Sequence, residues 1–232
     1  MIRADRRIGS PPARCPAAER STGDGPRFDR AAWDERYRSH GELWSGHPNR
    51  YLISEVADLA PSAALDVGCG EGADAIWLAE RGWTVTAVDF SSVALARGAT
   101  RAAGSGPDLA ERIEWLAEDV TVWDPPQARY GLVSAQYLHL PTATREAVFG
   151  RLAGAVAPGG SLLIVGHHPS DLQTSMPRPP RPELFFTAEE LADALDGRSW
   201  EIVTAAAPGR SATDPQGRDV TVHEAVLRAR RR

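Results

Sequence analysis

The sequence predicts a doubly wound α/β fold, a mostly parallel sheet with helices on both faces that ends in an antiparallel hairpin. Three observations carry this. Short apolar runs alternate with segments of helical period between residues 63 and 165, which implies right-handed crossovers and a sheet covered on both sides. The first run hands over to a helix through Gly68-Cys69-Gly70-Glu71-Gly72, the kind of turn at which open parallel sheets bind ligands. The last two apolar runs are joined by a loop bearing Gly and Pro, with no helical segment between them.

Each element follows from its residues. Met1 to about Arg27 is rich in Arg, Pro, Ala, Ser and Gly without apolar period, so it reads as a disordered arm. Residues 28–62 form a front helical segment: Phe28, Trp33 and Tyr37 precede a punctuated loop from Ser39 to Asn49, and Tyr51, Ile53, Val56 and Leu59 resume helical spacing. Ala63 to Val67 is a strand, and Ala73 to Glu80 a helix that Gly82 stops. Thr84 to Val88 is a second strand closed by Asp89, Ser91 to Ala103 a helix, and Ile113 to Ala117 a third strand followed by Asp119. Gly131 to Ala135 is a strand, Arg145 to Ala155 a helix, and Ser161 to Val165 a fifth strand behind the turn Pro158-Gly159-Gly160. Gly166 to Phe186 is a long loop with five prolines, and loops of that length in a compact domain tend to serve function. Thr187 opens a helix with Glu190 at capping-box spacing, ending near Leu195. Trp200 to Ala206 and Asp219 to Leu227 make the hairpin, and Arg228 to Arg232 reads as a short solvated tail. Residues 28–232 thus read as a single domain behind the arm 1–27.

Composition bounds the function. With 232 residues, 42% hydrophobic and a net charge of −5, the chain is long enough for a core and lacks the basic face that nucleic-acid binding requires. All 26 basic residues are arginine, which removes Schiff-base lysines, the P-loop lysine and the lysine that short-chain dehydrogenases place beside their tyrosine. Cys15 and Cys69 lie in unrelated contexts, so a structural disulfide is not expected and a reducing compartment fits. No secretion signal or spanning segment is visible, which points to a cytoplasmic protein without membrane partners.

The discriminating residue is Asp66, at the carboxyl end of the first strand. Gly68, Gly70 and Ala73 also satisfy a dinucleotide fingerprint, but a carboxylate there repels a pyrophosphate and attracts an ammonium group. Asp89, closing the second strand, is placed to accept from both ribose hydroxyls, and Phe90 to pack on an adenine face. Asp119 closes the third strand, where its carboxylate can accept from an adenine amino group while the Val120 amide donates to the ring. An acid at a strand end is often only a cap. Three acids at three successive strand ends behind one glycine loop argue against coincidence.

These motifs, with the Tyr130-to-Leu140 strand and the Pro158-Gly159-Gly160-Ser161 turn, resemble the class I S-adenosylmethionine-dependent methyltransferases from about Ala63 to Val165. The segment Trp33-Asp34-Glu35-Arg36-Tyr37 and Trp44 resemble the front helix of the tellurite-resistance and thiopurine-type small-molecule branch. The resemblance implies a Rossmann-like sheet of seven strands and S-adenosylmethionine as cofactor. It places Gly68, Gly70 and Gly72 against the methionyl backbone and adenosine, Asp66 near the amino group, Asp89 on the ribose, Asp119 and Val120 on the adenine, and Gln136 at the methionyl portion.

On the acceptor side, a base is needed only when the acceptor arrives protonated, and histidine is the usual choice. His139, beyond the fourth strand, and His167, at the end of the fifth, are the candidates. His167 and His168 point opposite ways on an extended chain, a poor pair for one metal ion, and no metal site is expected. Trp33, Tyr37, Trp44 and Phe185 are candidate walls of an apolar acceptor pocket closed by the front segment and the loop 166–186, whereas Trp77, Trp83, Trp115 and Trp200 are expected in the core. The leading expectation is methyl transfer to an O, N, S or C nucleophile on a small molecule. The alternatives are a binding module or partner subunit that keeps the cofactor without transfer, and an NAD(P)-dependent oxidoreductase, which Asp66 and the missing lysine disfavour. Oligomeric state is left open.

Overall fold

The structure, a computed structural model, describes residues 29–41 and 43–232; the arm 1–27, Phe28 and Cys15 lie outside the described residues. Among the described residues, no helix is long and apolar enough to cross a membrane.

The front segment forms two helices, α1 (Arg30–Ser39), capped by the Asp29 carboxylate, and α2 (Arg50–Val56), capped by the Asn49 side chain. There follow β1 (Ala63–Val67), α3 (Ala73–Glu80), β2 (Thr84–Asp89), α4 (Ser92–Gly104), the single turn α5 (Pro107–Ala110) and β3 (Ile113–Ala117). Next come β4 (Tyr130–Gln136), α6 (Thr142–Ala155) and β5 (Val156–His167), then α7 (Ala188–Asp193), β6 (Trp200–Ala206), β7 (Gly209–Thr213) and β8 (Asp219–Arg231). The sheet order is β3-β2-β1-β4-β5-β8-β6, with β7 paired to β8. The first five strands run parallel, and β8 is antiparallel to β5, β6 and β7.

Side-chain alternation divides the core between the two faces. Ala64, Leu163 and Val165 pack with Leu52, Ile76, Leu78 and Trp83 under α2 and α3. Leu65, Val67, Leu162 and Ile164 pack with Phe149, Leu152, Phe186 and Trp200 under α6 and α7. Of the expected core tryptophans, Trp77, Trp83 and Trp200 are buried and Trp115 is partly so.

The structure corrects the sequence reading in four places. The sheet has eight strands rather than seven, because the supposed hairpin loop folds into β7 against β8. Strand β5 begins at Val156, ahead of the expected turn, which becomes an irregularity between β4 and β5 with Gly159 at φ +79°. The proline-rich loop begins at His168, because β5 runs on through His167, and it holds two 3₁₀ turns, Pro169–Gln173 and Pro182–Leu184. The arginine tail is the end of β8: Arg228 pairs with Asp58, Arg230 with Glu201, and Arg231 donates to the Gly154 and Val156 carbonyls. A basic run with no apolar residue looks solvated in sequence, but here the backbone completes a ladder and the long stems lie along neighbouring elements. The capping box at Thr187 is present, its hydroxyl accepting from the Glu190 amide while Glu190 accepts from the Thr187 amide.

Candidate active site

Strands β1, β2, β4 and β5 end together at one edge of the sheet, and the glycine loop leaves β1 there. Gly68, Gly70 and Gly72 all have positive φ (+70°, +53° and +76°), a conformation that side chains disfavour. The Gly68 and Cys69 amides donate to the Val88 carbonyl at 2.8 and 3.0 Å, tying the loop to β2. Crowding adds a second constraint: a Cβ on Gly70 would stand 3.0 Å from the Tyr37 hydroxyl, and one on Gly98 of α4 would stand 2.6 Å from the Trp115 ring, which also fills the space beside Gly72.

Asp66 is buried, its Oδ2 has no hydrogen-bond partner, and burial beside Asp74 and Asp89 pushes its carboxyl well above the usual carboxylate range. Asp74, in the first turn of α3, accepts from the Asn49 amide at 2.6 Å, and burial raises its pKa to about 6. Gln136, at the end of β4, donates to Ser134 Oγ at 2.8 Å and leaves Oε1 buried without a partner. Since Asp66 pairs with Ser134 and Gln136 with Val165, these unpartnered oxygens belong to neighbouring strands at one sheet edge.

Asp89 accepts from the Gly70 amide at 3.0 Å and the Ser91 amide at 2.8 Å, and burial raises its pKa despite these bonds. Phe90 beside it is partly exposed. Asp119 turns its Oδ1 onto Thr121, accepting from the amide at 2.9 Å and the hydroxyl at 2.7 Å, and the Val120 carbonyl accepts from Arg151 at 2.9 Å. Asp119 therefore shapes its own loop, as a capping acid does, two residues beyond the end of β3 rather than at it.

The candidate acceptor residues fall into two groups. Trp33, Tyr37 and Trp44 cluster over the glycine loop, with Trp33 centred 6.0 Å from Tyr37 and 6.3 Å from Trp44, and the Trp44 indole donating to the Tyr37 hydroxyl at 3.2 Å. The front segment is tied down there by Ser91 donating to Asp34 and by the Leu43 amide donating to Glu71. Phe185 lies elsewhere, 6.1 Å from His167. His139 and His167 stack at 5.1 Å, and Tyr137 lies 4.8 Å from His167. His139 Nε2 is buried without a partner, and burial, aided by His167 and Arg178, lowers its pKa to about 3. His168 turns the other way, its Nδ1 within 2.9 Å of Ser170 Oγ.

Three residues missed in the sequence complete this second group. Glu224 of β8 is fully buried, with its carboxylate 3.3 Å from His167 Nδ1 and 3.2 Å from Arg210 of β7. Tyr137 bonds the same carboxylate through its hydroxyl, from a backbone held at φ +52°. The available signal was an acid inside the apolar run Val222-His223-Glu224-Ala225-Val226, since a buried acid demands partners.

Comparison with known proteins is consistent with this geometry. Residues 64–160 match the family described as a methyltransferase domain. An uncharacterized methyltransferase of Mycobacterium tuberculosis is 39% identical over 115 residues, 49% of this chain and 55% of that protein. A trans-aconitate 2-methyltransferase of Rhizobium meliloti is 31% identical over 157 residues, 66% of this chain and 55% of that protein. The chain thus spans just over half the length of the curated relatives it matches. Among solved structures, the N-methyltransferase NodS of Bradyrhizobium japonicum, in complex with S-adenosyl-L-homocysteine, superposes with a TM-score of 0.64 at 18% identity, covering 88% of this chain and 99% of that one.

Proposed function

Since residues 64–160 form a class I methyltransferase domain of the S-adenosylmethionine-dependent kind, we propose that the protein transfers the methyl group of that cofactor to a nucleophile on a small molecule. The observation that carries this reading is the pair of buried, unpartnered oxygens, Asp66 Oδ2 and Gln136 Oε1, beside the glycine loop. An isolated buried acceptor is costly, and a carboxylate so placed calls for a cationic donor. The amino group of a methionyl moiety fits these atoms, whereas the pyrophosphate of NAD does not.

In this reading Asp66 and Gln136 hold the methionyl end, Gly68, Gly70 and Gly72 let the cofactor approach the backbone, Asp89 takes the ribose, and Phe90, Asp119 and Val120 border the adenine. The bound cofactor supplies an activated methyl group on a sulfonium. The protein's task is then to align the acceptor in line with that methyl and to exclude water. Trp33, Tyr37 and Trp44 cover the donor side, and Phe185, His139 and His167 border the acceptor side. The trans-aconitate relative acts on a small molecule, which supports an acceptor of that size here.

Calorimetry tests the assignment. S-adenosylmethionine or its demethylated product should bind, and NAD should not. Because burial raises the pKa of Asp66 and brings that of Asp74 to about 6, a cation beside them draws protons off. Binding near pH 6 should therefore release protons, read as a heat that depends on the buffer's ionisation enthalpy, and affinity should rise with pH through that range. Tighter binding of NAD would overturn the assignment.

A further inference from the structure

We infer that His167 is the base that deprotonates the acceptor, that Glu224 is the residue that positions and charges it for this role, and that the acceptor is an aromatic hydroxyl. This rests on the methyltransferase reading above.

The geometry distinguishes the two histidines. His167 Nδ1 lies 3.3 Å from Glu224, and the two residues are direct partners in the β5–β8 ladder, so the contact is fixed by strand register rather than by a mobile loop. A bond at Nδ1 to a carboxylate selects the tautomer with the proton on Nδ1 and leaves Nε2 as the lone-pair nitrogen. His139 has no such carboxylate at either ring nitrogen among the described residues, and its surroundings disfavour a second proton. Placement agrees: Gln136 is the register partner of Val165, so His167 stands buried on the adjacent strand two residues further along, beside the end of β4 that carries Gln136.

The charges facing His167 come from every element packed against it. Glu224 comes from β8 and Tyr137 and His139 from the segment after β4, while Arg210 of β7 and Tyr51 of α2 face Glu224 behind it. Arg178, which faces His139, is neutralised by its own pair with Asp171 at 2.6 Å. Among the described residues, Glu224 is the single acid in direct contact with the ring. Its bonds to Arg210 hold it oriented while fully buried.

The acceptor class follows from what such a base is for. A carboxylic acid arrives ionised and needs no proton removal before attack, whereas amines, thiols and hydroxyls arrive protonated, and the flat rings around the base favour an aromatic acceptor among them. A phenolic hydroxyl, with a pKa of about 10, does need proton removal. The surfaces around His167 are flat rings, Tyr137 at 4.8 Å, His139 at 5.1 Å and Phe185 at 6.1 Å, and they suit a planar ring. In the step, the acceptor O–H proton passes to His167 Nε2 as the oxygen–methyl bond forms. The sulfur–methyl bond breaks, its electron pair returns to sulfur as a neutral thioether, and the imidazolium is stabilised by Glu224 until the proton leaves to solvent.

The test has two arms. In histidine-labelled protein saturated with S-adenosylhomocysteine, magnetic resonance should find neutral His167 as the Nδ1–H tautomer, and Glu224→Gln should lower its titration midpoint by about one pH unit. The opposite tautomer in the native protein, or an unmoved midpoint in the variant, overturns the positioning role. Transfer of labelled methyl from S-adenosylmethionine is then measured to a set of phenols and a set of carboxylic acids. Phenols should be methylated. His167→Ala should lower kcat about 100-fold or more with cofactor affinity unchanged. Glu224→Gln should lower kcat about tenfold and move the acid limb of the pH profile to lower pH, because the limb follows the base. A loss of rate with no shift of the limb makes Glu224 structural. Transfer to carboxylic acids alone, or to neither set, overturns the acceptor class. Failure of the native protein to bind S-adenosylhomocysteine would instead sink the methyltransferase reading, which separates the two failures.

Discussion

Asp89 illustrates how one side chain can shape a loop and still have lone pairs free for a ligand. Its two oxygens each accept one backbone amide, from Gly70 and Ser91, so the carboxylate shapes the glycine loop even without a ligand. A carboxylate has lone pairs to spare after two such bonds, enough for ribose hydroxyls. Asp89→Ala should therefore reduce affinity for S-adenosylhomocysteine by about 2–4 kcal/mol, measured by calorimetry, with the variant still folded by circular dichroism. A variant that unfolds, with affinity intact in the remaining native fraction, would make Asp89 purely structural. This residue's place beside the glycine loop was legible because strand ends and glycines are written locally in the chain. Glu224 was not, because its significance lies in the ladder partner 57 positions away.

At the scale of elements, α1 and the chain after it are bound to the loop they cover. Asp34 accepts from Ser91, Glu71 accepts from the Leu43 amide, Arg101 donates to the Gly46 carbonyl, and Asp74 accepts from the Asn49 amide. Entry of a ligand beside Gly70 therefore requires these bonds to open and close again. Hydrogen exchange with added S-adenosylhomocysteine should show the Leu43 and Asn49 amides gaining protection, together with the segment around Phe185. Protection confined to the glycine loop and Asp89 would place the pocket's cover elsewhere. The helices and parallel strands were readable because apolar period and caps determine them, as at Thr187. The turn α5, with Pro107 at its first position behind Gly106 at φ +122°, is too short for any period to register. Strand β7 was hidden for a different reason. Of Gly209, Arg210, Ser211, Ala212 and Thr213 only Thr213 favours a strand, and the ladder to β8 makes the rest one.

For the molecule as a whole, β8 is the seam, bonded to β5 on one side and to β6 and β7 on the other. Its arginine end fastens the sheet to Asp58 after α2, to Glu201 in β6 and to the carbonyls where α6 passes into β5. Deleting residues 228–232 should lower stability on the order of 3 kcal/mol, seen as a drop in thermal midpoint, whereas loss of a solvated tail would stay within about 0.5 kcal/mol. Trp115 reaches across the opposite wing of the sheet. Its ring occupies the space that a side chain on Gly72 or Gly98 would need, so β3, the glycine loop and α4 meet through one indole and two absent side chains. These three positions form a single packing unit: an alanine at position 98 requires the indole at 115 to shift or to give way to something smaller. Lineages that trade one for the other would keep the glycine loop in place while changing the residues that frame it.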